Sequence, residues 1–216
     1  MYIRDVMTTN VITIPSNTSV IEARRMMSEK KLRRVPVVDE GKLVGIITTD
    51  RLEKAAPPEA ISNNMWDLAF SIVALHHMPV KQIMQTDVVT VTPDMTVEEA
   101  LALAQSKKVG GVVVVEDSRV VGIVTTNDIF YRIVNPVLGV GAPGERIWIA
   151  GGGEGKAMEE IISAINKLHL EIITLHIMAE PHTTKKDIVV HLNSDDVSKL
   201  VAELKAKGYK VESRRR

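Results

Sequence analysis

Apolar positions along this chain fall into two rhythms. Residues 35–38 and 112–115, and after each of them 43–47 and 120–124, form continuous aliphatic runs, as in strands covered on both faces. The turn-forming quartets Asp39-Glu40-Gly41-Lys42 and Glu116-Asp117-Ser118-Arg119 separate the two runs of each pair. Ahead of them the rhythm is helical. Val97, Ala100, Leu101 and Ala104 stand at i, i+3, i+4 and i+7, which makes one buried stripe. Ser19 with Glu22, and Thr96 with Glu99, have the spacing of capping boxes at the helix starts. Lys30-Lys31 and Lys107-Lys108 close the helices with charges that suit a C-terminal dipole. Residues 11–14 and 88–91 are β-branched and predict a strand before each helix. A short helix is expected to start at Thr48 and at Thr125.

These elements are one unit written twice. Val6-Met7-Thr8-Thr9-Asn10-Val11-Ile12-Thr13-Ile14 aligns with Ile83-Met84-Gln85-Thr86-Asp87-Val88-Val89-Thr90-Val91 at an offset of 77. The same offset brings Val20, Glu22 and Ala23 onto Val97, Glu99 and Ala100, and Gly45-Ile46-Ile47-Thr48-Thr49 onto Gly122-Ile123-Val124-Thr125-Thr126. The register holds without a gap over about 47 positions, which marks an internal repeat of order β-α-β-β-α. Repeat 1 spans 1–56 and repeat 2 spans 80–135. Between them, Pro57-Pro58 breaks the chain and 65–78 has helical composition, so 57–79 is expected to be a helical linker. The adjacent His76 and His77 do not face one metal on a helix and read as its terminus.

A Gly- and Pro-rich linker is expected at 136–144. Residues 145–216 then read as β-α-β-β-α-β. Strands are expected at 146–150 and 210–213, with Ile173, Leu175 and Ile177, and Ile188, Val190 and Leu192, alternating on two more. Met158, Ile161, Ile162 and Ile165 form one helix stripe, and Val197, Leu200, Val201 and Leu204 another. The fold class is α/β (α+β): paired β-α-β-β-α repeats, then a ferredoxin-like βαββαβ domain.

Composition narrows the function classes. Apolar residues make up 45% but aromatics only 3%, so aliphatic side chains must fill the core. Lys and Arg total 27, as do Asp and Glu, and this zero balance predicts neither a nucleic-acid nor a membrane-surface partner. The run Arg214-Arg215-Arg216 reads as a solvated tail. With no cysteine, disulfides, thiolate metal sites and cysteine nucleophiles are excluded, in keeping with a cytoplasmic location. No apolar run after Met1 suggests a signal peptide, and no stretch is long enough to span a bilayer.

On these residues both repeats resemble CBS motifs, and residues 1–135 resemble a Bateman module. The quoted strand-end segments carry the likeness, above all Gly122-Ile123-Val124-Thr125-Thr126-Asn127-Asp128-Ile129. Thr125 ends a strand and opens a helix, so its hydroxyl and the free backbone N–H groups suit a phosphate oxygen. Asp128 can accept from both hydroxyls of a ribose. The resemblance implies those roles, in an adenosyl-ligand site: AMP, ADP, ATP, S-adenosylmethionine or NAD. It implies a base lined by Asp87, Val88 and Thr90, with Gly111, Val112 and Val113 opposite and Asn127 at the helix mouth. No obligatory cofactor is expected.

Repeat 1 departs from this pattern. It reads Gly45-Ile46-Ile47-Thr48-Thr49-Asp50-Arg51-Leu52, with Arg51 in place of the acid. An arginine cannot accept from a ribose, but with Arg33 and Arg34 it could clamp phosphates. Either the first cavity takes no nucleoside, or Thr48, Arg51 and Arg34 reach phosphates of a ligand shared across the pseudo-two-fold axis. The C-terminal third resembles an ACT domain, with Gly151-Gly152-Gly153-Glu154-Gly155 where that family has D-x-P-G. The whole arrangement is similar to bacterial acetoin-utilisation accessory proteins.

Three other motifs fail on context. Gly139-Val140-Gly141-Ala142-Pro143-Gly144 matches a dinucleotide fingerprint but precedes a strand instead of following one. Ala150 and Ala157 spoil a P-loop. His176 and His191 share an outer hairpin face without patterned carboxylates and read as surface histidines, so no metal is expected. No nucleophile–base–orienter set is visible. The sequence therefore points to a cytoplasmic, homodimeric sensor of an adenosyl ligand that controls a separate metabolic protein, and not to an enzyme. The alternatives are a dimerising adaptor with degenerate sites and an amino-acid sensor acting through the ACT-like domain.

Overall fold

The computed structural model describes residues 1–55, 77–179 and 185–214. Most of the linker helix expected at 57–79 lies outside these residues, as do Arg215 and Arg216. The chain divides into two compact units, Met1–Phe130 and Tyr131–Arg216.

The first unit runs α1 (Ile3–Val6), α2 (Val20–Glu29), β1 (Arg34–Asp39), β2 (Lys42–Thr48), α3 (Thr49–Lys54), a 3₁₀ turn at Val80–Gln82, β3 (Thr90–Val91), α4 (Val97–Ser106), β4 (Gly111–Glu116), β5 (Arg119–Thr125) and α5 (Thr126–Ile129). Both capping boxes form. Ser19 Oγ accepts from the Glu22 N–H at 3.2 Å, and Thr96 Oγ1 accepts from the Glu99 N–H at 3.3 Å. The helix exits involve more than charge. Lys31 and Lys108 both turn left-handed at φ 53°, which lets the Leu32 N–H reach the Met27 carbonyl and the Val109 N–H reach the Ala104 carbonyl. Each hairpin turns on two residues of positive φ, Glu40-Gly41 and Asp117-Ser118, so its twist matches that of the flanking strands.

The strands expected at 11–14 and 88–91 are mostly not formed. In repeat 2 only Thr90 and Val91 pair, in parallel with Val113 and Val114. In repeat 1 a single bridge joins Ile14 to Val37. Pro36 explains the difference. It stands where Val113 stands in repeat 2, and Val113 donates its N–H to the Val89 carbonyl at 3.2 Å. Proline has no N–H to give.

The two repeats exchange their leading segments. Tyr2 bridges Thr96, the Ile3 N–H bonds the Met95 carbonyl, and Thr8 exchanges two hydrogen bonds with Ile123. At the positions 77 residues on, Pro79 bridges Ser19, and Gln85 exchanges two hydrogen bonds with Ile46. The core of repeat 1 therefore contains Val80 among Val20, Ala23, Met27, Val35, Ile47 and Leu52.

The second unit runs β6 (Glu145–Ile149), α6 (Gly155–Lys167), β7 (Ile172–Ala179), β8 (Lys186–Leu192), α7 (Ser198–Ala206) and β9 (Val211–Arg214). Its sheet order is β7-β8-β6-β9, antiparallel throughout. The alternation expected from sequence places Ile147, Ile149, Ile188, Val190 and Leu192 in one core with Ile161, Ile165, Leu200 and Leu204 of the helices.

Two readings need correction here. The 136–144 stretch lies within the second unit and packs on its sheet. The Arg146 guanidinium donates to the Leu138 carbonyl, and His191 Nε2 donates to the Pro143 carbonyl at 2.8 Å. Under this cover His191 is only 2% exposed, so it is not a surface histidine. Its register opposite Thr174, with His176 opposite Val189, keeps both imidazoles on one sheet face as expected. Among the described residues no cluster of three or more His, Asp or Glu side chains could hold a metal, and no helix is long and apolar enough to cross a membrane.

Candidate functional site

Thr125 ends β5 with extended backbone and caps α5. Its N–H and its hydroxyl both donate to Asp128 Oδ2, at 2.8 and 2.6 Å. The other carboxylate oxygen, Oδ1, accepts from the Thr8 hydroxyl at 3.0 Å. Thr8 belongs to repeat 1 and reaches this place because the leading segments are exchanged. The mouth of the second repeat is thus built from both repeats, and its carboxylate already holds an alcohol from the other one.

Arg34 also crosses between repeats. Its guanidinium donates to the Gly110 carbonyl, which further accepts from the Thr126 hydroxyl at 3.0 Å. A Cβ on Gly110 or Gly111 would meet Arg34 Nη atoms at 2.8 or 2.9 Å, so these glycines make room for the guanidinium. Burial, then the neighbouring charge of Arg33, pushes the Arg34 guanidinium below its ordinary value. Arg34 thus stands over repeat 2 and not inside its own repeat.

At the equivalent place in repeat 1, Thr48 caps α3 by accepting from the Arg51 N–H at 3.4 Å. The Arg51 guanidinium donates to the Ile83 carbonyl at 3.0 Å. A cavity of about 500 Å³ opens beside them, lined by Thr48, Asp50, Arg51, Lys54, Ile83 and Gln85. Gln85 is the counterpart of Thr8.

The remaining predicted residues spread along the strands. Thr90 pairs with Val113, and Val112 and Val113 are buried. Gly111, Val112 and Thr125 line a cavity of about 410 Å³, whose other wall is the α4 face of Val97, Ala100, Leu101 and Ala104. Asp87 is exposed, and its carbonyl accepts from Gln85 Nε2 at 2.7 Å. Asn127 is exposed on α5. Thr8 and Gln85 were absent from the sequence-based site. A signal for them existed in Gly45 and Gly122, glycines inside otherwise apolar strands, which imply close approach by another segment. The approaching side chains are Met84 and Met7.

A protein-family model for the CBS domain matches residues 3–57 and 80–135. A homoserine O-acetyltransferase of Methanohalobium evestigatum is 35% identical over 130 residues, 59% of this chain but 23% of that enzyme. The chain therefore spans about a quarter of the length of that relative. Among solved structures, a putative acetoin utilization protein from Vibrio cholerae is 27% identical, covers 62% of this chain and 91% of its own, and superposes with a TM-score of 0.53. The CBS domain pair of protein MJ0100, solved with 5′-methylthioadenosine and S-adenosyl-L-methionine, is 31% identical, with coverages of 62% and 97% and a TM-score of 0.51.

Proposed function

The chain belongs to the CBS-domain family, and on that premise we propose that it is a regulatory, non-catalytic sensor of an adenosyl ligand. The ligand enters the second-repeat mouth, with Thr125 toward its phosphate or sulfonium end and Asp128 toward its ribose. Val112, Val113, Gly111, Asp87, Val88, Thr90 and Asn127 complete the proposed surround. One observation carries this reading: Asp128 Oδ1 accepts the hydroxyl of Thr8 at 3.0 Å. That alcohol marks where a ribose hydroxyl would donate. The likeness to a domain pair solved with two adenosyl thioether and sulfonium compounds supports the ligand class.

The same bond supplies the switch. A ribose that displaces the Thr8 hydroxyl breaks a link between the repeats, so ligand-free and bound states differ in contacts. Only such a differential interaction lets a ligand shift an equilibrium. The bound state is read by a separate metabolic protein in the cytoplasm, with the chain as a homodimer. Residues 145–216 are proposed as a ferredoxin-like domain of ACT type, on their element order and the sheet order β7-β8-β6-β9.

Isothermal titration of the full chain with adenosine, AMP, 5′-methylthioadenosine and S-adenosylmethionine tests the reading. At least one of them binds, and Asp128→Asn weakens that binding ten-fold or more. If none binds, the sensor reading is wrong and the adaptor with degenerate sites replaces it.

A further inference from the structure

Each exchanged segment carries a methionine at the point of crossing. Met7 and Met84 are counterparts at the repeat offset of 77. The Met7 N–H closes a turn on the Ile3 carbonyl at 2.9 Å, and the Met84 N–H closes one on the Val80 carbonyl at 2.8 Å. Ile3 and Val80 are fully buried, so the turn that ends in each methionine is anchored. The next residue, Thr8 or Gln85, makes the two-bond bridge to Ile123 or Ile46. Each methionine lies over the glycine beside that bridge. A Cβ on Gly45 would stand 2.5 Å from Met84 Sδ, and one on Gly122 would overlap Met7 Sδ, with Met7 Cγ at 3.0 Å. The thioether therefore fills a notch that exists because no Cβ is there. The N–H groups of Met7, Thr8 and Ile123 are all spent on carbonyls, as are those of Met84, Gln85 and Ile46. Neither notch is sealed, since both methionines are only half-buried. Met27, by contrast, is shut in the core, while Met1 and Met178 are open to solvent and fill nothing.

We propose that Met7 and Met84 are paired oxidation sites, at which a peroxide turns the thioether into a sulfoxide and unlatches one repeat from the other. A sulfur lone pair attacks one peroxide oxygen, the O–O bond breaks and an S–O bond forms. The proton on the transferred oxygen passes to the leaving hydroxide, which departs as water. Sulfur loses two electrons and the peroxide gains them. The product is a polar, chiral group where an apolar one was packed. Its oxygen is a strong acceptor, and in a notch whose flanking N–H groups are already committed it bears the cost of an unmet hydrogen bond. Water reaches it once the side chain lifts off the glycine, and that lift pulls on the bridge at the next residue. Both sites depend on the packing between repeats and on no ligand.

Treatment of the full chain with hydrogen peroxide, with peptide mass mapping and a thermal melt at each dose, tests this. Oxygen is expected on Met7 and Met84, and the melting temperature falls by about 5 °C or more in step with their occupancy. The double variant Met7→Leu/Met84→Leu conserves volume and keeps both notches filled. After the same dose it stays within about 2 °C of its untreated value, although Met178 carries oxygen. Met178→Leu loses as much as the parent, which keeps the test decisive should the double variant fold poorly. The proposal is overturned if Met7 and Met84 remain thioethers at doses that convert Met178 fully, or if their sulfoxides leave the melting temperature unchanged. It is overturned equally if the double variant falls as far as the parent, or if Met178→Leu protects.

Discussion

Glu99 shows how much a single side chain contributes to these repeats. Its carboxylate accepts from the Thr96 hydroxyl at 2.8 Å and from the Thr96 N–H at 3.2 Å. The hydroxyl bond, then the backbone bond, holds the carboxyl below its ordinary value of 4.5. A lowered folded value means that the unfolded chain takes up the proton first as pH falls. The stabilisation is therefore complete above 4.5 and is lost as pH drops through the lower folded value. Thermal melts of Glu99→Gln between pH 3 and 6 are expected to show a flatter acid limb than the parent, and parallel limbs would refute this. Gly144 is a different kind of single-residue constraint. It sits at φ 96° with its Cα facing the Leu192 carbonyl. Backbone on one side and a left-handed φ on the other leave no room to relax. Gly144→Ala is expected to cost about 3 kcal/mol in chemical denaturation.

The elements were largely legible in the sequence, for physical reasons that also explain the misses. Capping boxes and helix stripes are local, so α2 and α4 could be read from their own residues. The type of each hairpin turn follows from adjacent residues too. The strand at 11–14 was over-read because β-branching says nothing about whether the partner can donate. Pro36, 22 residues beyond Ile14, decides that. The pairing of Thr125 with Asp128 is legible in the sequence because both lie on one helix start. The Thr8 bond to Asp128 is not legible there, because it comes from 120 residues away. Comparing the two helical faces gives an element-scale prediction. Met27 is buried in the core of repeat 1, while its counterpart Ala104 lines an open cavity of about 410 Å³. Ala104→Met is expected to raise the melting temperature by about 2–4 °C, the shift for roughly 1 kcal/mol in a chain of this size. An unchanged or lower melting temperature would mean that this wall is already covered in solution.

At the scale of the molecule, the sequence repeats and the packed bodies are different objects. Residues 3–57 match one copy of the motif, yet the core of that copy includes Val80, and Ile3 bonds to Met95. A 1–57 fragment is therefore expected to show no cooperative transition by circular dichroism, while 131–216, whose core is its own, melts cooperatively. A cooperative melt of 1–57 would contradict the exchange. The same exchange sets an order of events during synthesis. Thr8 leaves the ribosome early, but its partners Ile123 and Asp128 are made more than a hundred residues later. At about 5–20 residues per second, the first segment waits many seconds with its apolar face unmatched. Repeat 1 can be completed only once Val80 and Gln85 have emerged, and the place of Thr8 is filled only once Ile123 and Asp128 have. The pair is then a single unit of translation and folding, and the cell cannot make half of it in usable form.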